Sequence, residues 1–485
     1  MERLLTDYNA INAQTPRSDV ASILNSIAIG QLSLESRRSI IELLLDDVDD
    51  AGADSRLTLE DCAQALLTVK TLCRQPEVSS LVVSEKNLGI LFRCLNRPRP
   101  VSIEAQRCVA NGLLLHESSR NAWISIGGAS DAIEKGNPDP EQCFVAARIL
   151  FLATVKPSSF LQEAVRGETK LPDIVAHSLN RMSDIREKRF AQEALIDLLK
   201  LNFNLLVHSK VADSSSDHDV WDTNFESVVP ALMKLLCSLP PTTPSPLKPP
   251  LTYVLNNLIY IPSSGVHENV WLSSVDGDSP LVRLWNLLRK TLAYYVPDDP
   301  DDSSVRIKCQ NENVVLDELV PPLAFVLGNV AKDSTEARKW LKNTLLPLDL
   351  DRSEPLEQRK DLLGQCIRLM ASIHHPNLKE AVSQMIFEIC GESASEMTHQ
   401  IGYGNAAGFL MSRGITSVPG SSSHNGISIN PITGMVSQPH PVDDNMTEEE
   451  KEAEAERLFV LFDRLERTGM GVNPVRQAQR EGRLQ

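Results

Sequence analysis

Apolar residues recur at intervals of three and four along almost the whole chain, while the strict alternation of a half-buried strand is almost absent. That spacing predicts helices over 57–73, 102–116, 141–155, 190–207, 228–239, 251–260, 281–295, 317–331, 361–373 and 378–390. Short Pro, Gly or Asp interruptions separate them, so the pattern is a long series of helices. The first opens on Thr58, Leu59, Glu60 and Asp61, a helix-start signal. Several of these helices carry a polar residue followed by two apolar ones at an equivalent place. The instances are Asn111, Arg148, Asn204, Asn257, Asn329 and Arg368, with Lys70 a looser match. They stand 37 to 72 residues apart, and the longer gaps hold loop insertions. A base period of about 40 residues is that of armadillo and HEAT arrays. The expected fold is therefore all-α: an armadillo/HEAT-like, right-handed superhelical solenoid over 1–412. Each helix pair fails to bury its own apolar face, so neighbours stack, and one helix per repeat lines a concave surface.

Three segments interrupt the series. Residues 239–250 (LPPTTPSPLKPP) form a proline-rich loop that cannot be helical, and 296–302 (VPDDPDD) an acidic turn. From 413 to 445 the chain is rich in Ser, Gly, Pro, Asn and His and reads as a flexible linker. A terminal amphipathic helix is expected over 446–468, followed by a disordered tail over 469–485. Thr447 and Glu450 make its capping box, and early glutamates suit the positive end of the helix dipole. Arg464 and Arg467 suit the other end, and Gly469 its stop. Leu458, Leu461, Phe462 and Leu465 fall on one stripe, with Phe459 at its edge. Such a tethered helix either folds back on its own array or docks on a partner.

Composition narrows the function classes. The 485 residues are 42% hydrophobic but only 5% aromatic, a balance suited to stacked helices rather than sandwiches or barrels. A formal charge of −16 opposes a phosphate-binding surface, so nucleic acid is not the expected ligand. The nine cysteines are scattered and form no CxxC pair, as expected of small buried thiols in a reducing compartment. No signal peptide opens the chain, and no apolar run reaches the roughly 18 residues needed to span a bilayer. The expectation is a cytoplasmic monomer without membrane insertion.

Candidate chemistry is sparse. GYGNAAG (402–408) matches the relaxed dinucleotide pattern G-x-G-x-x-A, but that pattern works only between a buried strand and a helix. ESASEMTHQ precedes it instead, so a Gly-rich bend closing the array is the better reading. His374 and His375 are adjacent, point about 100° apart on a helix, and cannot share one metal. No catalytic constellation, metal site or cofactor motif is present. Lys70 and Arg74, four apart on one helix face, either clamp a carboxylate such as a chain terminus or form a solvated basic face. The amide series of Asn111, Asn204 and Asn257 either faces a bound segment or bonds a neighbouring loop.

Several stretches carry a family resemblance: EAQRCVANGLLLHES (104–118), ARILFLATV (147–155), EALIDLLKLNFNLL (193–206), GYGNAAGFLMSRG (402–414), INPITG (429–434) and MTEEEKEAEAERLFVLFDRLER (446–467). In order and spacing they resemble synembryn, the exchange factor and folding chaperone of heterotrimeric G protein α subunits, in a fungal-type form. The last three are the most specific, because neither composition nor helical packing demands them. The resemblance implies a solenoid whose concave face holds the C-terminal helix of a Gα subunit, GDP-bound or nucleotide-free. By position, Lys70 and Arg74 would meet the carboxyl end of that helix and Asn111 would bond its backbone. Arg148, Asn204 and Asn257 would continue the same face, and Leu458, Leu461 and Phe462 of the tethered helix would brace the Gα nucleotide domain. The resemblance also implies a cytoplasmic protein recruited to the cell cortex. After Gly414 this chain reads ITSVPGSSSHNGIS, where animal members carry acidic phosphorylation sites, so activation by an acidophilic kinase is not expected. The competing reading is an armadillo-type adaptor for basic cargo peptides. Its grooves pair Trp with Asn one turn later, and Trp123, Trp221, Trp271, Trp285 and Trp340 show no such repeat.

Overall fold

A computed structural model describes residues 2–52, 55–74, 76–135, 139–211, 221–274, 278–415, 434–435 and 462. Among them the regular structure is α-helical with three short 3-10 turns, and no β-strand occurs. The chain divides into two compact units, 1–235 and 236–485. Both are stacks of α-helices.

In the first unit four long helices pack side by side in sequence: Leu59–Leu72, Val101–Leu115, Pro140–Ala153 and Ala191–Val211. These first, second, third and fourth rungs match the helices expected from apolar spacing to within a few residues. The first rung starts at the expected helix-start signal, which is a capping box: the Thr58 N–H donates to Asp61 Oδ2 at 2.9 Å. Asp61 also takes Arg17 Nη1 at 2.7 Å, which ties this helix start to the preceding helix Arg17–Ile29. On the third rung Asp139 accepts from the amides of Glu141 and Gln142, and Pro140 supplies the preset first helical residue. Small residues set the rung separation: Ala105, Ala146, Ala147 and Ala194 are at most 2% exposed.

Further helices back these rungs, including the short Pro76–Val82, Glu85–Cys94 and Ser159–Arg166 and the longer Leu171–Asp184. Gly112 shows how closely one of them approaches. A Cβ there would lie 2.5 Å from Val83 Cγ1, so the second rung accepts a mid-helix glycine to admit the segment beside it.

The second unit repeats the scheme with the apolar helices Leu251–Leu258, Pro280–Tyr295, Pro321–Asp333, Leu362–Met370 and Pro376–Ile389. The proline-rich stretch is non-helical, as expected, but it is packed rather than solvated. Ser245 is fully buried with its Oγ 2.7 Å from the Tyr295 hydroxyl, and Leu247 is 1% exposed. The acidic turn is a fastening. Asp301 accepts from Ser372 Oγ at 2.6 Å and from the Ile373 and His374 amides, while His375 Nε2 lies 3.2 Å from the Pro300 carbonyl. Both histidines thus sit in a structural corner. GYGNAAG is the expected bend: Gly402, at φ +83°, separates helix Ala394–Ile401 from helix Tyr403–Ser412.

Eight cysteines are buried and Cys237 is half-buried, all as free thiols. Burial pushes the Cys62 and Cys143 thiols up to about 11, which keeps them protonated and unreactive at neutral pH. No group of His, Cys, Asp or Glu among the described residues could hold a metal ion. No single helix among them is long and apolar enough to cross a membrane.

Candidate partner-binding face

The four rungs of the first unit carry a continuous polar and aromatic stripe. Lys70 Nζ, near the end of the first rung, donates to Glu104 Oε2 on the second at 2.6 Å. Arg107 bonds the other Glu104 oxygen and reaches Glu141 on the third rung. Arg148, on the third rung, donates to Asp197 Oδ2 on the fourth at 2.9 Å. Two phenyl rings join these groups. Phe144 and Phe190 stack with centroids 5.9 Å apart. The Arg148 guanidinium lies 4.6 Å over Phe144, and Arg107 and Arg189 lie 5.7 and 4.5 Å over Phe190. Lys200 extends the line, 5.5 Å over Phe151 and 3.5 Å from Asp197. Phe190 adopts φ +69°, a left-handed conformation that costs a bulky residue roughly 1–2 kcal/mol and is held here by the ring stack and the two guanidiniums.

The expected site residues fall out unequally along this stripe. Lys70 is on it, but it is paired with Glu104 and only 20% exposed. Arg74 does not share its helix face: the rung ends at Leu72, Cys73 caps it, and Arg74 lies exposed in the turn beyond. The four-residue spacing therefore overran the helix, although both cations remain at the same end of the first rung. Asn111 is half-exposed, and its side chain bonds no described residue. It shares a shallow cleft with Lys70, Cys73, Ser79, Cys108 and Leu115, beside the exposed Leu114. The enclosed space holds about one water molecule, too little for a nucleotide or cofactor and suited to the edge of a larger partner.

Arg148 keeps its place on the stripe through Asp197. Asn204 is 9% exposed and donates to the Phe151 carbonyl at 3.1 Å and to Thr154 Oγ1 at 3.3 Å. Its amide closes the C-terminal end of the third rung, the neighbouring-helix role weighed against a ligand-facing one. Asn257 is corrected outright: it is fully buried and donates to the Tyr253 carbonyl one turn back at 2.7 Å, so it cannot meet a partner. Leu458 and Leu461 lie outside the described residues, and Phe462 is helical and half-buried.

Spacing missed Glu104, Arg107, Phe144, Phe190 and Lys200. Each looked like an ordinary helix-surface or helix-edge residue, and only the cross-rung geometry joins them. Three of the five tryptophans are buried: Trp123 and Trp271 are at most 1% exposed, and Trp285 is 8% exposed against Trp340.

Stacked rungs joined by an ionic stripe define a helical-repeat protein. The family model described as guanine nucleotide exchange factor synembryn matches residues 65–483. The chain belongs to that family. Similar curated proteins include Chaperone Ric-8A of Macaca fascicularis, 32% identical over 227 residues that cover 39% of this chain and 42% of that protein. Chaperone Ric-8A of Danio rerio is 36% identical over 168 residues, 31% of this chain and 30% of that protein. The matched stretch thus spans less than half the length of these relatives.

Proposed function

We propose that this chain is a guanine nucleotide exchange factor and folding chaperone for G protein α subunits, acting as a cytoplasmic monomer without covalent chemistry. Family membership and the relatives' designation as chaperones support this reading. The observation that carries it is the stripe itself, whose cations Lys70, Arg107 and Arg148 are held by carboxylates that an incoming carboxylate can replace.

The C-terminal helix of a Gα subunit lies along the rungs. Its terminal carboxylate takes Lys70 and Arg74, the free Asn111 amide bonds its backbone, and its apolar side chains cover Leu114 and Leu115. The tethered segment 446–467 braces the nucleotide domain. Withdrawing the last helix from that domain loosens the loop that contacts the guanine base. The driving force is tighter binding of the nucleotide-free state than of the loaded one. Shifting a population from 1:99 to 99:1 takes about 5.5 kcal/mol of such difference. The same grip shields an unloaded, newly made subunit from aggregation, which is the chaperone role.

GDP release from purified Gα subunits, measured with and without the full chain, tests this directly. Release accelerates in proportion to added protein. Equal affinity for loaded and empty subunits would leave no force to expel GDP and would reduce the protein to a passive scaffold.

A further inference from the structure

The carboxylates buried on the rungs of the first unit meet cations. Glu104, 8% exposed, takes Lys70 and Arg107, and Asp197, 1% exposed, takes Arg148 and Lys200. Glu388 of the second unit departs from that scheme. It is 4% exposed in the last turn of helix Pro376–Ile389, and no cation bonds it among the described residues. Gln384 Nε2 donates to its Oε1, while Oε2 is buried with no hydrogen-bond partner. Gln384 is fixed in turn, because Arg413 Nη2 donates to its Oε1 at 2.8 Å and to Glu380 Oε1 at 2.6 Å.

The facing helix, Pro321–Asp333, presents Gly328 at this level instead of a cation. A Cβ there would lie 3.4 Å from Met385 Cα and 3.8 Å from Glu388 Cγ, so the two helices run close with no side chain between them. One turn on, Lys332 pairs with Glu392 at 3.7 Å. Both of those side chains are about half exposed, which puts Glu388 just beneath the surface. Glu392 adopts φ +56°, a left-handed conformation that strains a residue with a side chain.

The surroundings are negative. Gly328 lies by Met385 and Lys332 by Glu392, so the two helices run in the same direction and end together, each with the negative end of its dipole. Burial raises the Glu388 carboxyl above its ordinary value, and Glu392 and Asp333 add to the rise, outweighing Gln384 and Lys332. A raised carboxyl contributes stability below its unfolded value and loses it as pH rises through the folded value, so the charged form burdens the fold. What would satisfy it is a positively charged donor.

We propose that Glu388 is the acceptor of a subsite for a basic side chain, lysine or arginine, supplied by the protein that this chain holds. Oε2 takes the incoming N–H, the two dipole ends and Glu392 surround its charge, and Gln384 keeps the carboxylate in place. Entry parts the half-exposed Lys332–Glu392 pair, which holds weakly. The subsite stands on the geometry of these two helices. Only the identity of the partner, a Gα subunit, rests on the exchange reading given above.

The test uses the full chain, wild type and Glu388→Gln, with ethylguanidinium as the probe and neutral ethylurea as its control. The labelled methyl resonance of Met385 is the reporter. Wild type gives a saturable Met385 shift with ethylguanidinium and none with ethylurea. Glu388→Gln weakens that response about ten-fold, and affinity for nucleotide-free Gα falls about ten-fold too, as expected for one charge-assisted hydrogen bond. Its melting temperature at pH 7 stays level or rises, because a neutral amide removes the buried charge. Equal ethylguanidinium responses in the two proteins overturn the subsite. So does a drop in melting temperature, which marks Glu388 as a structural group satisfied inside the fold. Unchanged Gα affinity beside a lost probe response overturns the assignment to a partner's side chain. A wild type that binds no Gα sinks the exchange reading instead, and the probe still decides for or against the subsite.

Discussion

The two units fasten their helices in different ways. In the first, rung meets rung through side-chain ion pairs: Lys70 with Glu104, Arg107 with Glu141, Arg148 with Asp197. In the second, links from side chains to backbone stand beside ion pairs such as Lys342 with Glu396. Asn329 donates to the Ile259 carbonyl at 3.1 Å, Gln365 to Val296 at 3.1 Å, and Arg368 to the carbonyls of Asp298, Glu357 and Arg359. The difference matters because a carboxylate partner can be exchanged for another carboxylate at little cost, whereas a carbonyl fixed in a helix end cannot move aside. The ionic rungs can open to a ligand. The stapled ones hold shape.

The largest effect expected from breaking this contrast lies on the first rung. Lys70→Glu combined with Arg74→Glu reverses both cations at the carboxylate end of the face and adds a charge opposite Glu104. Binding to Gα, measured by titration calorimetry, is abolished, while the helical circular dichroism spectrum is unchanged because neither side chain is in the core. Wild-type affinity in this double variant removes the carboxylate clamp.

A smaller effect, of opposite sign, isolates the exchange of partners. Glu104→Gln keeps one acceptor for Arg107 but frees Lys70 from its competing charge. A partly exposed ion pair is worth about 1 kcal/mol, so a peptide ending in a free carboxylate binds roughly five-fold tighter. The same peptide with an amidated end gains nothing. If both peptides respond alike, Glu104 only shapes the cleft and does not compete with the ligand.

The helices were legible in sequence because apolar spacing is a local property: nine of the ten predicted segments hold one helix each, and 317–331 is split into Leu316–Leu319 and Pro321–Asp333. The short backing helices such as Pro76–Val82 and Ser159–Arg166 were not, since one or two turns give too few repeats of the period to register. Of the proposed face, Lys70 and Arg148 were singled out by spacing and lie on the stripe. Asn111 was recognised at its equivalent position and stands free, whereas Asn204 and Asn257 share the same local pattern and bond carbonyls. Spacing cannot tell these apart, because burial depends on which neighbour covers each helix. Arg74 failed for a related reason: the residue pattern continues past Leu72, but the helix does not. The stripe from Glu104 to Lys200 needed four helices to be placed side by side before any of its contacts existed.

The smallest effect belongs to the stapled unit and is read as a function of pH. Burial tends to raise the Asp301 carboxyl, but hydrogen bonds from the Ser372 hydroxyl and the Ile373 and His374 amides outweigh it and hold the group below the ordinary 3.8. A depressed carboxyl stabilises the fold fully above its unfolded value. That contribution fades as pH falls toward and then through the folded value. Asp301→Asn removes the charge and leaves one oxygen to serve these donors, at a cost of about 1 kcal/mol at pH 7 for a half-buried site. The melting temperature then drops by roughly 2 °C at pH 7, and the gap from wild type narrows as pH falls below about 4. Partner binding is untouched, because Asp301 fastens one repeat to the next and faces no ligand. A loss of Gα affinity in this variant, with no pH-dependent change in melting, would mean that the second unit's staples also belong to the binding face, and the division between exchangeable and fixed rungs would be wrong.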